Sequence, residues 1–162
     1  MALADQTSAV HIPGKRVPKE NWHLTLRFLG ETDSVSYERF LNGLAEMENL
    51  TPFLIRLAGF GAFPKPQKAT VVWAGVSEGV EDLSLLNEVA EEAAQLAGFE
   101  PEERPYRPHL TLSRIRPPVD VRHLVDEPLD LRWKNTEVVV YRSHLGRGGA
   151  RYEPLETFLL SV

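Results

Sequence analysis

The spacing of apolar positions changes several times along the chain, and each change predicts an element. Residues 1–21, MALADQTSAVHIPGKRVPKEN, follow neither a helical nor a strand period and carry Pro13, Gly14 and Pro18, which predicts an irregular lead-in. Trp22 to Leu29 then alternates, with Leu24, Leu26 and Phe28 on one side and His23, Thr25 and Arg27 on the other. Period-2 alternation of this kind predicts a strand with one polar face. After Gly30, Thr32 or Asp33 can cap a helix whose apolar residues Tyr37, Phe40, Leu41 and Leu44 recur at i, i+3, i+4 and i+7. Phe53–Ala58 and Ala69–Val76 are rich in β-forming residues and predict two strands joined by an extended connection, GFGAFPKPQK. Leu83, Leu86, Ala90, Ala93 and Ala97 mark a second amphipathic helix that stops at Gly98. Alternation resumes in HLTLSRIR from His109, and Glu137–Tyr141 and Pro154–Val162 predict closing strands around a GRGG loop.

One segment of this pattern occurs twice. HLTL stands at 23–26 and again at 109–112, each time in an alternating strand after a short proline-containing stretch. A duplicated α+β unit folded about a pseudo-twofold axis accounts for the echo and predicts two similar lobes of antiparallel sheet plus helices, with both motifs facing a central cleft.

A chain of 162 residues with 43% hydrophobic and 25% charged positions has globular composition and the size of one domain, here taken as 1–162. The absence of cysteine excludes disulfides, thiolate nucleophiles and Cys-built zinc sites, and points to a reducing cytoplasm. No apolar run has the length needed to cross a bilayer, so no membrane is expected. A net charge of -5 argues against broad binding to duplex nucleic acid, which needs a basic face. It leaves room for a local basic pocket that takes one phosphate at a chain end.

A lone His-x-Thr carries no information, since 5 His and 8 Thr predict about 0.2 such spacings by chance. Such a His is ordinarily a satisfied sheet residue and such a Thr a β-former. The matched repeat, with Leu at both other positions, is harder to attribute to coincidence. Within each copy the period of 2 puts imidazole and hydroxyl on one face, where they can exchange a proton and hold a phosphate oxygen. Two copies supply an acid and a base around one phosphorus, and imidazole is the group suited to both tasks near neutral pH. Metal ligation by the paired histidines is the competing reading. It is disfavoured because neither copy has i, i+4 helical spacing or a neighbouring carboxylate, so no metal and no cofactor are expected.

The chain resembles the two-histidine phosphoesterase superfamily and, within it, the bacterial RNA 2′,3′-cyclic phosphodiesterases, also called 2′-5′ RNA ligases. The resemblance covers about residues 15–162 and rests on His23 with Thr25, His109 with Thr111, and the flanking NWHLTLRFLGE, FGAFPKP, RPYRPHLTLSR and SHLGRGGARY. It implies hydrolysis of a terminal 2′,3′-cyclic phosphate to a 2′-phosphate, with reversible RNA joining in some relatives. It also implies that His23 donates a proton to the leaving 3′ oxygen, that His109 accepts one from water, and that Thr25 and Thr111 hold phosphate oxygens. The residues alone do not distinguish the two proton roles. Arg114 stands where relatives have a phosphate-binding arginine, although strict alternation sets it on the side of Leu110 and Leu112. Arg27 has the polar-face parity, with a solvated rim charge as the plain reading. Phe63 and Trp73 are candidate stacking surfaces for a terminal base, with core packing the favoured reading for Trp73.

His11, His123 and His144 have no matched partner and read as surface or loop residues; Glu88, Glu91 and Glu92 read as the wet face of a helix. GRGG lacks the Lys and Ser/Thr of a P-loop. The expected partners are RNA 3′ ends bearing a 2′,3′-cyclic phosphate, met by a monomer. Two alternatives are a phosphodiesterase of small cyclic nucleotides such as ADP-ribose cyclic phosphate, and a non-catalytic module that binds RNA ends. Relatives usually begin with an apolar strand and a helix that the first 22 residues do not suggest. The expectation is therefore a translation start upstream of Met1, and a longer form more stable than this one.

Overall fold

The computed structural model describes residues 3–161 and is an α+β fold with antiparallel strand pairs. Its residues group into two compact units, one of residues up to 24, 54–79 and 108–133, the other of residues 25–53, 80–107 and those from 134 on.

The first unit is built on a sheet. Helix α1 (Leu3–Ser8) and the two-residue strand β1 (Lys15–Arg16) precede β2 (Phe53–Lys65), β3 (Lys68–Glu78), β4 (His109–Val119) and β5 (Asp130–Asn135). The strand order is β1-β4-β3-β2-β5, with β1/β4, β4/β3 and β3/β2 antiparallel. One face is apolar: Leu57, Phe60 and Ala62 of β2, Ala69, Val72 and Ala74 of β3, and Leu110, Leu112 and Ile115 of β4 form the core with Leu3, Ile12, Val121, Leu124 and Leu129. Burying each large aliphatic side chain contributes on the order of 1.5–3 kcal/mol.

Helix α1 corrects the expectation of an irregular lead-in. Six residues are too few to show a helical period, and only Leu3 and Thr7 are buried. The Arg16 guanidinium donates to the carbonyls of Thr7 within this helix and Val10 just past it, each at 3.2 Å, which ties α1 to β1. Gln6 locks onto the start of β5: its amide donates to the Asp130 carbonyl at 2.7 Å and its carbonyl accepts from the Asp130 amide at 2.8 Å.

The second unit holds two helices and a hairpin. Asp33 caps α2 (Ser34–Leu44) by accepting from the Ser36 amide at 2.8 Å, as the cap signal predicts. Phe40 and Leu44 of α2 are buried, as are Leu83, Leu86, Ala90, Ala93 and Ala94 of α3 (Val80–Leu96). The two helices approach closely, since a Cβ at Gly43 would stand 2.7 Å from that of Ala93. Gly98, with φ 100°, ends α3 in the left-handed conformation, and the Phe99 amide turns back to the Ala94 carbonyl. Strands β6 (Glu137–Gly146) and β7 (Gly149–Leu159) pair as a hairpin, so the GRGG stretch is a tight turn between long strands and not a loop.

Three further expectations need correction. The GFGAFPKPQK connection is itself strand, because β2 and β3 remain in register to Lys65↔Lys68. Strand β5 has no counterpart in the sequence reading, since its exposed and half-buried positions alternate without a buried residue. Residues 22–29 form no extended ladder and show a single antiparallel bridge, Leu24↔Leu110.

Candidate active site

That bridge joins the two HLTL copies. Leu24 packs on the core beside buried Leu110, and His23 is the residue next to the bridge. On its other side Thr111 faces Trp73 of β3, and His109 faces Gly75. Register partners point the same way from a sheet. The sheet face opposite the core therefore carries His109, Thr111 and Trp73, with His23 beside the Leu24↔Leu110 bridge, all within the first unit.

Arg114 joins them through a bulge. On β3 the partners run Trp73↔Thr111, Val72↔Ser113 and Val71↔Arg114, so Leu112 is an extra residue with no partner in that ladder. Leu112 and Ser113 are both buried, at 3% and 0% exposure, where strict alternation would allow only one. The parity resets there, and Arg114 takes the face of His109 and Thr111. This corrects the expectation that Arg114 lies on the side of Leu110 and Leu112.

Aromatic rings line the same face. Phe63 of β2 meets the His109 ring edge-on at 5.1 Å and lies 5.3 Å from Trp73, itself 6.1 Å from His109. Trp73 is half-buried and lies on this face, outside the core cluster, so the core-packing reading does not hold. Its ring covers Gly61, where a Cβ would come within 2.1 Å of Cη2. Gly61→Ala is therefore expected to drive Trp73 off the sheet, at a stability cost of about 1–3 kcal/mol. Near-ultraviolet circular dichroism and thermal melting report it; unchanged values in both would contradict this packing.

The tautomer of His23 follows from its partner. Nδ1 lies 2.7 Å from the Asn21 carbonyl oxygen. A carbonyl can only accept, so Nδ1 carries its hydrogen and Nε2 is the nitrogen available to exchange a proton.

The second unit holds the other singled-out residues. Thr25 is exposed at the first position of that unit. Arg27 is no rim charge: its side chain is 9% exposed, pairs with Glu91 at 2.6 Å and donates to the carbonyls of Phe28 and Glu100. Glu91 is correspondingly not on a wet face. Burial opposes its ionisation, but hydrogen bonds from the Glu102 amide, Gln95 and Arg27 outweigh that and hold its carboxyl below the ordinary value. Burial pushes the Tyr106 phenol up to about 12, so it stays protonated at neutral pH. Sequence reasoning missed the bulge, the Nδ1 anchor of His23, and Lys15, which is the register partner of Arg114. Only the basic character of Lys15 hinted at the last.

No helix among the described residues is long and apolar enough to cross a membrane. Comparison with known proteins gives a consistent picture. The family model of the 2′-5′ RNA ligase superfamily matches residues 10–147. An RNA 2′,3′-cyclic phosphodiesterase of Methanothermobacter thermautotrophicus is 34% identical over 165 residues, covering 98% of this chain and 89% of the relative. One of Aeropyrum pernix is 38% identical over 114 residues, covering 70% of this chain and 64% of that relative's length. The crystal structure of E. coli LigT complexed with 3′-AMP superimposes with a TM-score of 0.79 at 28% identity, over 99% of this chain and 90% of that one. On the matched residues, and on the relatives that align over nearly its whole length, this chain belongs to the 2′-5′ RNA ligase superfamily.

Proposed function

We propose that the chain is an RNA 2′,3′-cyclic phosphodiesterase, which opens the terminal cyclic phosphate to a 2′-phosphomonoester by acid and base catalysis from His23 and His109. The observation that carries this reading is the Leu24↔Leu110 bridge, which couples the two His-Leu-Thr-Leu copies. Relatives named for this activity support it. In the proposed reaction His109 takes a proton from water as its oxygen forms the new bond to phosphorus. The bond from phosphorus to the 3′ oxygen breaks, and His23 Nε2 supplies the proton that oxygen acquires. One water is consumed, the phosphate stays on the 2′ oxygen, and the histidines exchange protonation states until solvent resets them. Thr25 and Thr111 are assigned to phosphate oxygens, Arg114 to the phosphate charge, and Phe63 and Trp73 to the terminal base. The same displacement with the 5′-hydroxyl of another RNA in place of water would break the same bond to the 3′ oxygen and join the ends through a 2′-5′ phosphodiester. The enzyme is proposed to act as a cytoplasmic monomer.

The test is to incubate the purified protein with EDTA and a short RNA ending in a 2′,3′-cyclic phosphate, then identify the product. The expected result is a 2′-phosphate formed at the rate seen without chelator. Loss of turnover that zinc or manganese restores would refute the two-histidine mechanism.

A further inference from the structure

The two residues of β1 face opposite ways. Arg16 is the register partner of buried Ser113 and spends its guanidinium on the carbonyls of Thr7 and Val10. Lys15 is the register partner of Arg114, and both are exposed. Lys15 therefore stands on the face that carries His109, Thr111 and Trp73, beside a second cation. Cross-strand partners have their Cβ atoms about 4.5–5.5 Å apart, and like charges placed so repel.

The backbone holds this arrangement firmly. Gly14 has φ 89° and packs so tightly that a Cβ there would stand 2.5 Å from the Arg114 carbonyl oxygen and 2.7 Å from Ile115 Cγ1. The Ser113 hydroxyl, fully buried, donates to the Pro13 carbonyl oxygen at 2.5 Å and lies 3.3 Å from that of Lys15. The Val17 amide donates to the carbonyl of Leu112, the bulged residue, at 2.9 Å. The clamp that carries the parity reset in β4 is thus the one that fixes Lys15 beside Arg114. An anionic group of a substrate lying along this face would meet both cations.

Distance selects which anion. On β3 the row of His109 is Gly75 and the row of Arg114 is Val71, four residues apart, or about 13 Å at strand rise. Thr111, the nearer of the two, has the row of Trp73, two residues or about 7 Å from the row of Arg114, and Lys15 lies one strand further out on β1. We propose that Lys15 binds a second phosphate of the substrate, the phosphodiester preceding the terminal nucleotide, beyond the Arg114 side chain assigned to the reacting one. Lys15 then determines specificity: it favours an RNA end over a mononucleoside cyclic phosphate, which has no second phosphate. This inference rests on the phosphodiesterase reading above.

The experiment compares a diribonucleotide ending in a 2′,3′-cyclic phosphate with the mononucleoside 2′,3′-cyclic phosphate, using wild type, Lys15→Ala and Lys15→Arg. The ratio of kcat/KM for the dinucleotide to that for the mononucleotide is expected to fall about 3- to 10-fold in Lys15→Ala, through KM, and to recover in Lys15→Arg. The salt dependence of KM for the dinucleotide should become shallower by about 0.7 in log–log slope. An unchanged ratio, whether both substrates are hit equally or neither is, overturns the assignment of Lys15. A wild type that turns over neither substrate instead refutes the phosphodiesterase reading, so the two failures are distinguishable.

Discussion

His109→Ala is expected to lower turnover of a 2′,3′-cyclic phosphate by on the order of 10³-fold or more, and His23→Ala by a similar factor. Each imidazole is assigned one half of a coupled proton transfer, so removing either strands the other. The double variant should accordingly be little worse than either single one, as with residues that act as a unit. Thr111→Ala should cost less, about 10- to 1000-fold, because one hydrogen bond to developing charge is lost while both proton carriers survive. The wild-type pH profile is expected to be bell-shaped, with one limb reporting the base and the other the acid, and each histidine variant should lose the limb it carries. Steady-state kinetics across pH test all of this. Substantial activity in His23→Ala would withdraw its role as donor; additive losses in the double variant would mean that the histidines act independently.

Glu91→Ala is expected to lower the melting temperature by about 5–10 °C. Arg27 has a side chain only 9% exposed, and Glu91 at 20% is its carboxylate partner. Removing one member of a buried pair leaves the other charged and desolvated, which costs about 3–5 kcal/mol at full burial. The residual exposure here reduces that to about 2–3 kcal/mol, or 2–4 °C per kcal/mol for a chain of this size. Because the folded Glu91 carboxyl sits below its ordinary value, its contribution is fully present above the unfolded carboxylate pKa and fades as pH falls through the folded one. The gap between wild type and variant should therefore narrow in acid. Replacing both residues with apolar ones, as Arg27→Met with Glu91→Leu, should recover part of the loss. Thermal melts at neutral and acid pH decide it, and a shift below about 1 °C at neutral pH would show that the pair contributes nothing measurable.

Much of the fold is legible locally. The Asp33 cap, the Phe40 and Leu44 stripe and the stop at Gly98 each act within one or two helical turns, and α2 and α3 appear where those signals predict. Other elements elude the same reasoning because their cause is remote. Helix α1 is too short for a period and is held by Arg16 and by β5 through Gln6. Arg27 has the parity of His23, but Glu91 and the Glu100 carbonyl, more than 60 positions away, draw it into a buried pair.

The chemistry on offer is readable from residue order alone: two copies of one His-Leu-Thr-Leu motif, no cysteine, and apolar patterning for an α+β core. Repetition and side-chain identity are local properties, readable without a fold. Which face each residue takes was decided by tertiary structure. Strand parity assumes an unbroken ladder, and the ladder of β4 breaks at Leu112, where Ser113 turns inward to the Pro13 carbonyl from a lead-in 100 residues earlier. That one extra residue carries Arg114 from the core side to the face of His109 and sets Lys15 beside it. No period in the sequence encodes it, because a bulge is a property of two strands in register and not of either strand alone.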